Sequence, residues 1–415
     1  MQLKRVAVTG LGAITPIGNN VSDYWNGLVN GVSGSDWITR FDASKFKTRF
    51  ACEVKNFDPT ALFERKEIKK YDLYTQFAVV AATEAIEDSG FLTQTDLERA
   101  GVIWASGIGG ITTFAEELKA FYDGDGTPRF NPFFIPKMIA DIAAGQISIK
   151  YGLKGPNYAT VSACASSSNA LIDALNYIRL GHADVFVAGG SEATISESGV
   201  GGFNSMQALS TNNEQYRTAS RPFDKDRDGF VIGEGAGGLI LEEYEHAKKR
   251  GAKIYAEVVG GGMSADAYHL TKSHPEGDGA YRAMKAALND ANITCEHIDY
   301  INVHGTSTPV GDPSETKAIV RLFGDHAYKT NISATKSMTG HLLGAAGAIE
   351  AIASILAINH GIIPPTINHF TDDEEIDRKL NLTFNKAQKR DVCYALSNTF
   401  GFGGHNTSLI FKKAE

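Results

Sequence analysis

Proline, paired cysteines, basic charge and unbroken apolar runs are all scarce in this sequence of 415 residues. Only 12 Pro accompany 43 Gly, and 43% of the residues are hydrophobic. That combination excludes a disordered or collagen-like chain, because such chains carry proline together with glycine and few large apolar residues. The net charge of −8 argues against general binding of nucleic acid or an anionic membrane, which usually needs a basic stripe. We therefore expect a globular protein with neither of these partners.

Closely spaced cysteines are missing as well. The four that occur are Cys52, Cys164, Cys295 and Cys393. None belongs to a CxxC motif or has metal-ligand spacing, which excludes a disulfide framework and favours a reducing compartment. The longest apolar stretch, residues 342–363, contains Glu350 and His360, and polar groups at such places disfavour a membrane span. We predict a cytoplasmic protein.

Short β-branched runs alternate with helical patterns along the whole chain. Strands are predicted near residues 5–9, 102–105, 158–161, 184–188, 254–259, 300–303 and 332–334, and helices near residues 72–89, 165–180 and 343–359. This alternation is typical of a layered α/β fold. The last two helices are rich in small residues and stop at Gly181 and Gly361, which indicates a duplicated architecture. We place the boundary between residues 1–251 and 252–415.

One segment resembles a metal site without meeting its requirements. In DKDRDGFVIGE, Asp224, Asp226 and Asp228 occupy the first, third and fifth places of a calcium loop. The twelfth place, which needs a bidentate glutamate, is Gly235. We therefore interpret the segment as a polar turn before a strand and predict no bound metal.

The segment around Cys164 reads NYATVSACASSSNALIDAL. It places the cysteine between a predicted strand and a predicted helix, among serines and alanines. Small neighbours permit the sharp turn that exposes a nucleophile at a helix N-terminus, as in the nucleophile elbow of hydrolases. The helix dipole there favours a thiolate, and free backbone N–H groups can bind an oxyanion. A lone cysteine is most often a small buried apolar residue, but this context makes Cys164 the candidate nucleophile.

Two of the eleven histidines lie in a comparable context. His304 ends a predicted strand in YINVHGTSTPVGD, and His341 follows Lys336 by five residues in ATKSMTGHLLGAAG. Both positions belong to the edge at which α/β sheets form their binding crevice. Because a single histidine is more often structural, it is the occurrence of two histidines in comparable positions that indicates a catalytic site. The glycines around Phe402 in SNTFGFGGHN fit either a hinged loop or a plain tight turn.

Five motifs in one order carry a resemblance to a known family. They are the Cys164 elbow, RPFDKDRDGFVIGEGAG, HGTSTPVGD, KSMTGHLLGAAG and FGFGGHN. Together they resemble the β-ketoacyl-[acyl-carrier-protein] synthases, closest to the type II synthase of bacterial fatty-acid elongation, over nearly the whole chain. The resemblance implies the thiolase fold, in which two related βαβ-rich halves form five αβαβα layers, and a homodimer. It also implies an enzyme without a cofactor of its own, since phosphopantetheine arrives on the carrier protein.

The resemblance assigns the chemistry to four residues. Cys164 accepts the acyl chain from acyl carrier protein, and the backbone N–H groups of Cys164 and Phe402 form its oxyanion hole. His304 and His341 stabilise the enolate that forms when malonyl-carrier protein loses CO₂, after which the carbanion attacks the acyl thioester. Two imidazoles suit this step, because decarboxylation needs preorganised donors where negative charge develops.

The resemblance also assigns supporting roles. Lys336 and Glu350 orient the histidines, although on sequence alone either is an ordinary surface charge. The remaining positions bind substrate: Thr306 and Thr308 hold the pantetheine amides, Phe402 and Phe203 form a gate, and Ile108, with Phe133 from a second subunit, borders the acyl tunnel.

An acidic carrier protein requires a local positive surface. The segment FERKEIKKYD supplies Arg65 with Lys66, Lys69 and Lys70, which we expect on one helical face. Such a run is usually only a solvated face, but the negative overall charge gives it weight as a docking site. Related enzymes carry a base where this sequence has Gln207, which affects the docking detail and not the chemistry.

Four other functions remain open from the sequence. A cysteine hydrolase or simple acyltransferase would leave the second histidine and the Phe402 loop unexplained. A ketosynthase of a polyketide or aryl-polyene pathway would share every catalytic residue. A non-catalytic chain-length subunit would lack Cys164. A thiolase would use a second cysteine near the C-terminus, but Cys393 lies in DVCYALSN, which reads as a strand.

Overall fold

The structure is a computed structural model and describes residues 3–415. Its strands are β1 (Val6–Ile14), β2 (Asp36–Trp37), β3 (Phe50–Ala51), β4 (Ala100–Ala105), β5 (Asn157–Tyr158), β6 (Val185–Glu192), β7 (Gly235–Glu243), β8 (Ala256–Ala265), β9 (Tyr300–Asn302), β10 (Asn331–Ser333), β11 (Ile362–Ile363), β12 (Gln388–Lys389), β13 (Tyr394–Gly401) and β14 (His405–Lys413). Its helices are α1 (Val21–Val29), α2 (Arg65–Ile68), α3 (Leu73–Ser89), α4 (Ile111–Tyr122), α5 (Phe134–Met138), α6 (Ile142–Tyr151), α7 (Ser166–Arg179), α8 (Glu197–Ser205), α9 (Tyr244–Lys249), α10 (Asp278–Ala291), α11 (Gly311–Phe323), α12 (Lys336–Thr339) and α13 (Ala346–His360).

The main sheet contains two sets of five strands with the same arrangement. The strand order is β5-β4-β6-β7-β1 in the first set and β10-β9-β13-β14-β8 in the second. When the strands of each set are counted in chain order, the third strand lies at the outer edge of the sheet. The second, fourth, fifth and first strands follow it in space, in that order. The pairings match as well: the first two are parallel and the last two antiparallel. The two sets meet where Ala7 and Val8 pair with Glu257 and Ala256. The fold is therefore internally duplicated.

Helices cover both sets of strands and also lie between them. The central helices α7 and α13 occupy equivalent places in the two halves, and each contacts strands of both sets. On the outer faces, α3 and α6 pack against the first set and α10 and α11 against the second. Apolar residues fill the three interfaces between these layers. The result is the expected five-layered αβαβα architecture.

One apolar segment is long enough to cross a membrane by length and composition. Residues Leu343–His360 have a mean hydropathy of 1.4, but 89% of them are buried inside the protein. They form α13 and the 3-10 turn before it, between the two sets of strands. An apolar helix in this position is explained by its packing as a core helix.

The predicted helices with clear end signals agree with the structure. Asp72 caps α3 with its side chain, and Gly90 ends it in the left-handed conformation at φ 64°. The strand predicted over residues 158–161 is wrong in extent, because pairing ends at Tyr158. Side chains of the following residues bond the start of α7 instead: Thr160 Oγ1 donates to the Ser166 carbonyl at 2.8 Å. Local bonds of this kind compete with strand pairing.

Candidate active site

One cavity of about 570 Å³ collects the candidate residues from both halves of the chain. Cys164, His304, His341 and Phe402 all line it. Thr306, Thr308, Ile108 and Phe203 line it as well. The cavity is therefore the single place where the chemistry predicted from separate motifs comes together.

The cysteine lies on a strained turn directly before α7. Ala163 has φ 51°, a conformation that L-residues other than glycine rarely adopt. Gly401 from β13 packs closely against this turn: a Cβ there would lie 2.8 Å from the Ser162 carbonyl oxygen and 3.1 Å from the Cys164 nitrogen. Only glycine fits at that contact. The turn thus places the Cys164 sulfur next to the loop that carries Phe402.

The thiol of Cys164 is held in its neutral form. Only 7% of the residue is exposed, and burial raises the pKa of Cys164 to about 12. Lys336 and the backbone N–H groups of Phe402 and Cys164 act in the opposite direction. Burial of the sulfur thus opposes the thiolate that the sequence led us to expect, and stabilisation of that thiolate by the helix dipole stays a prediction. Activation then requires a proton acceptor close to the sulfur.

His341 provides that acceptor. Its Nε2 lies 3.0 Å from the Cys164 Sγ. The His341 backbone is fixed by two hydrogen bonds, one donated to the Val231 carbonyl at 2.7 Å and one accepted from the Gly233 N–H at 2.9 Å. The ring of His304 packs edge-on to that of His341 with centroids 5.3 Å apart. Both imidazoles therefore face the same small volume beside the sulfur.

Both histidines are neutral near pH 7. Burial lowers the pKa of His341 well below its usual range, and the charge of Lys336 lowers it further. The same two causes lower the pKa of His304, with His341 adding to them. A neutral imidazole can donate one hydrogen bond and accept one. The pair therefore offers donors for a developing oxyanion without holding fixed positive charge.

Lys336 and Glu350 form a buried ion pair behind the histidines. Both side chains are at most 1% exposed, and the Lys336 ammonium donates a hydrogen bond to Glu350 Oε1. Burial raises the pKa of Glu350 to about 7, although Lys336 opposes this. The sequence alone allowed both residues to be ordinary surface charges, and their burial in the structure excludes this. Lys336 acts on both histidines through its charge, but the Nδ1 atoms of His304 and His341 have no hydrogen-bond partner among the described residues. The orienting role of Lys336 and Glu350 stays a prediction.

The residues Phe402 to Gly404 form the tight turn that joins β13 to β14, where Gly401 pairs with His405. Gly403 and Gly404 have φ 86° and 75°. The Gly403 N–H donates to the Leu270 carbonyl at 2.7 Å, and the Gly404 carbonyl accepts from the Asp266 N–H at 2.9 Å. These bonds join the loop to residues 266–270 at the cavity mouth. The predicted gate is accordingly tied to a second loop that sequence reasoning did not single out.

The two aromatic gate candidates lie near each other. The rings of Phe203 and Phe402 are 6.5 Å apart between centroids, and Phe203 also packs on Phe230 at 5.4 Å. The two threonines form the polar side of the cavity, with hydroxyl oxygens 3.1 Å apart.

Phe133 does not join the others in the cavity of its own chain. It is 40% exposed, precedes α5, and lies under the ammonium of Lys70 at 5.6 Å from the ring centroid. The position of Phe133 at the tunnel of a second subunit stays a prediction.

The basic segment forms a less regular surface than predicted. Helix α2 ends at Ile68, so Arg65 and Lys66 are helical while Lys69 is the C-cap and Lys70 lies beyond it. The prediction of one helical face is wrong, because the backbone must become extended at Asp72 to cap α3. All four basic side chains are nevertheless exposed and close in sequence.

Sequence reasoning missed two buried carboxylates that hold the site loops. Glu315 of α11 accepts from the backbone N–H groups of His304 and Gly305, both at 2.9 Å. Glu192 at the end of β6 accepts from the N–H groups of Gly107 and Gly344 at 2.8 and 3.0 Å. A charged residue within the apolar run VFVAGGSEAT was the available signal for Glu192.

The segment that resembles a calcium loop has a structural role here. Asp224 is fully buried and accepts hydrogen bonds from the backbone N–H groups of Phe370 and Thr371 at 2.6 and 2.8 Å. Its carboxylate is therefore engaged in fixing a neighbouring loop.

Solved structures with this fold define the class. A beta-ketoacyl synthase from Burkholderia phymatum superposes with a TM-score of 0.91 at 36% identity, covering 99% of this chain and 100% of that one. A ketosynthase bound to a hexaketide, in complex with its type II polyketide synthase acyl-carrier protein, also gives 0.91, at 34% identity over the whole of both chains. The fold is thus the thiolase fold of the ketosynthases.

The sequence comparisons narrow this class to one family. The beta-ketoacyl synthase N-terminal domain matches residues 3–247, and the C-terminal domain matches residues 255–370. The 3-oxoacyl-[acyl-carrier-protein] synthase 2 of Coxiella burnetii is 49% identical over 414 residues, covering 100% of this chain and 99% of that protein. The chain belongs to the beta-ketoacyl synthase family.

Proposed function

We propose that this protein condenses malonyl-acyl carrier protein with an acyl chain held on Cys164, releasing CO₂ and 3-oxoacyl-carrier protein in fatty-acid elongation. The observation that carries the proposal is the approach of His341 Nε2 to the Cys164 sulfur at 3.0 Å, with His304 beside both. The full-length identity of 49% to a 3-oxoacyl-[acyl-carrier-protein] synthase 2 favours the elongation substrates.

The first half-reaction is transfer of the acyl group to Cys164. The thiol passes its proton to His341 as sulfur attacks the acyl thioester carbonyl, because the thiol is neutral at rest. The N–H groups of Cys164 and Phe402 face the sulfur and suit the tetrahedral oxyanion. Collapse of that intermediate expels the pantetheine thiolate, which takes up the proton, and leaves a thioester on Cys164.

The second half-reaction forms the carbon–carbon bond. Malonyl-carrier protein loses CO₂, and the electron pair of the broken bond forms an enolate whose oxygen is stabilised by His304 and His341. The carbanion attacks the acyl thioester carbonyl, and the Cys164 sulfur leaves as thiolate, which takes up a proton from solvent to restore the resting thiol. Two neutral imidazoles suit this step, because they supply hydrogen bonds where charge develops and bear no counter-charge beforehand.

The carrier protein is the proposed partner for both substrates. The exposed basic residues support an electrostatic encounter with an acidic protein, given the chain's net charge of −8. A ketosynthase of the same fold is known in complex with an acyl-carrier protein. Thr306 and Thr308 are suited to hold the amides of its pantetheine arm.

A homodimer in the cytoplasm completes the proposal. Large apolar side chains are exposed near β5 and on the neighbouring helices, including Val161 at 62% and Ile149 at 74%. Burial of such a surface against a second copy would account for them, and would allow Phe133 to reach the other subunit's tunnel.

The decisive experiment measures CO₂ release from malonyl-carrier protein. Purified wild-type protein is compared with the His304→Ala and His341→Ala variants, with and without an acyl-carrier protein as acyl donor. We expect CO₂ release and a 3-oxoacyl product from the wild type, both dependent on the two histidines. A wild type that acylates Cys164 but releases no CO₂ would contradict the condensation and support a simple acyltransferase.

A polyketide or aryl-polyene ketosynthase is the second candidate, favoured by the fold shared with a polyketide ketosynthase at a TM-score of 0.91. A turnover panel of saturated and polyene acyl-carrier proteins, from short to long, separates the two. Faster turnover of saturated chains supports elongation, and faster turnover of polyenes supports the alternative.

A further inference from the structure

Glu192 is a fully buried carboxylate beside the active cavity that neither half-reaction uses. It lies at the last position of β6 and is 0% exposed. Burial raises its pKa, while the groups that donate hydrogen bonds to it act in the opposite direction. A buried carboxylate is costly unless its oxygens are satisfied, so its partners indicate what it is for.

Four neutral donors converge on this carboxylate from two separate turns. Oε1 accepts from the Ser106 hydroxyl at 3.1 Å and from the Ile108 N–H at 3.2 Å. Oε2 accepts from the N–H groups of Gly107 and Gly344 at 2.8 and 3.0 Å. The first turn follows β4 in the first half of the chain, and the second precedes α13 in the other half. Glu192 therefore joins the two halves through a single side chain.

The two turns touch each other as bare backbone around the carboxylate. A Cβ on Gly344 would lie 2.2 Å from the Gly107 nitrogen and 2.8 Å from Glu192 Oε2. A Cβ on Gly107 would lie 2.7 Å from the same oxygen. Such distances exclude side chains at both positions. The turns are accordingly fixed relative to each other by this carboxylate and not by packed side chains.

Each turn presents an apolar side chain to the cavity. Ile108 follows Gly107, and Leu343 precedes Gly344; both line the cavity with Cys164. Leu343 has φ 46° and belongs to the apolar cluster that contains Cys164, Ile195 and Val200. This apolar side of the sulfur, opposite the polar threonine side, is where an acyl chain on Cys164 finds its first contacts.

We propose that Glu192 is a positioning residue that fixes the separation of Ile108 and Leu343 and thereby determines which acyl chains Cys164 accepts. The proposal rests on the proposed function, since it concerns the acyl group carried by Cys164. It assigns acyl selectivity to a residue that does not touch the acyl chain.

Two substitutions at Glu192 distinguish the effect of the side chain's length from the effect of its charge. Glu192→Gln keeps the length of the side chain, but its amide NH₂ group is itself a donor and cannot accept hydrogen bonds from two of the four donors. Glu192→Asp keeps the charge, but it is shorter by one methylene and cannot serve both turns. If Glu192 acts by holding both turns, each variant releases one of them.

The test measures competitive acylation of Cys164 by intact mass spectrometry. Wild type and variants receive an equimolar mixture of short and long saturated acyl-carrier proteins. We expect the ratio of long to short acylation to fall about tenfold in both variants, the scale on which an apolar pocket discriminates by small changes of fit. The control is Glu242→Gln, another fully buried carboxylate, which is paired with Arg250 far from the cavity.

A second readout distinguishes the effect of the Glu192 charge from the effect of its side-chain length. The charged or titratable groups that face Cys164 are His341, His304, Lys336 and Glu192, and the charge of Glu192 raises the pKa of the thiol. The pH midpoint of Cys164 alkylation is therefore expected to fall in Glu192→Gln and to stay nearly constant in Glu192→Asp. A residue that only supports the fold would lower stability, as we expect of Glu242→Gln, without changing the acylation ratio.

The outcomes are separable. Unchanged acylation ratios in both Glu192 variants, with wild type acylated normally, would overturn this proposal alone. Failure of the wild type to be acylated would overturn the proposed function together with it. Should both Glu192 variants fail to fold, Ser106→Ala keeps the carboxylate and removes one of its donors, together with the acceptor of the Gly109 N–H in the same turn. It is then expected to lower the ratio about threefold, the effect of one hydrogen bond, and an unchanged ratio would contradict the proposal.

Discussion

Two loops follow equivalent strands in the two halves of the molecule and line the same cavity as Cys164. The first, residues 106–109, follows β4, and the second, residues 304–308, follows β9; each of these strands is the second of its set. Both loops line the cavity, and each is held through its backbone N–H groups by a buried carboxylate, Glu192 or Glu315. The two loops are therefore held in the same way, although the carboxylates come from non-equivalent elements, β6 and α11.

The loops differ in the side chains that they present. The first offers Gly107 and Ile108, an apolar wall, and the second offers His304, Thr306 and Thr308, which are polar. One architecture thus supplies both a wall for an acyl chain and donors for a carbanion, with the nucleophile between them. The comparison implies that changes in one loop affect one half-reaction, and that changes in Cys164 affect both.

The largest effect is expected from Cys164→Ala. Cys164 is the only cysteine among the described residues that line the cavity, so its removal should reduce both acylation and condensation below detection. Intact mass spectrometry after incubation with acyl-carrier protein, followed by a condensation assay, measures the two steps. Cys393→Ala is the matched control, because Cys393 is exposed and outside the cavity. Retained condensation in Cys164→Ala, or its loss in Cys393→Ala, would contradict the assignment and favour a thiolase mechanism.

The second largest effect is expected from a substitution in the second loop, which should leave the function of the first loop largely intact. His304→Ala removes a donor at the enolate oxygen, and we expect CO₂ release from malonyl-carrier protein to fall about 10²- to 10³-fold. Self-acylation of Cys164 should remain largely intact, because the acyl half-reaction uses His341 and the first loop. The exposed His297 lies outside the cavity, and His297→Ala serves as the control. Equal loss of acylation and decarboxylation would break the division between the loops.

The third prediction concerns a substitution in the first loop, which should leave the function of the second loop largely intact. Ile108→Trp fills the apolar side of the cavity, and we expect acylation by long chains to fall about tenfold more than acylation by short ones. Decarboxylation of malonyl-carrier protein should change little, since the second loop is untouched. Val32→Trp, at an exposed position outside the cavity, controls for the added bulk. A variant that loses decarboxylation as strongly as acylation would show that the loops do not act separately.

Local signals carried much of what the sequence could predict. The ends of α3 follow from Asp72 and Gly90, which act on the backbone beside them. The elbow at Cys164 follows from its small neighbours, and the structure adds the strained Ala163 and the close approach of Gly401. These features can be predicted from the sequence because their causes lie within a few residues of them.

The remainder depends on contacts between distant residues. The partners of Glu192 and Glu315 are backbone amides, which have no sequence signature of their own. The buried pair of Lys336 and Glu350 resembles two surface charges until the fold is known. The burial of the Cys164 sulfur, which raises the pKa of the thiol and opposes the expected thiolate, likewise comes from the whole fold.

The smallest effect concerns the carboxylate behind the second loop. Burial raises the pKa of Glu315 to about 7 from an ordinary value of 4.5. Between these two pH values the folded protein binds more protons at this site than the unfolded chain, so the site's contribution to the free energy of unfolding decreases as pH rises. The slope is at most about 1.4 kcal/mol per pH unit for one group. Glu315→Gln has no such group and should lose this slope.

Denaturant unfolding of wild type and Glu315→Gln at several pH values measures the difference directly, because most titrating groups are common to both proteins. The stability of wild type relative to Glu315→Gln should fall from pH 4.5 to 7 and become constant above about pH 8. The exposed Glu374 provides the control Glu374→Gln, which should give no such slope. A difference that rises with pH would mean that Glu315 is held as a stabilised anion. The hydrogen bonds from His304 and Gly305 would then outweigh its burial, and the second loop would be anchored by charge in a way that the comparison with the first does not anticipate.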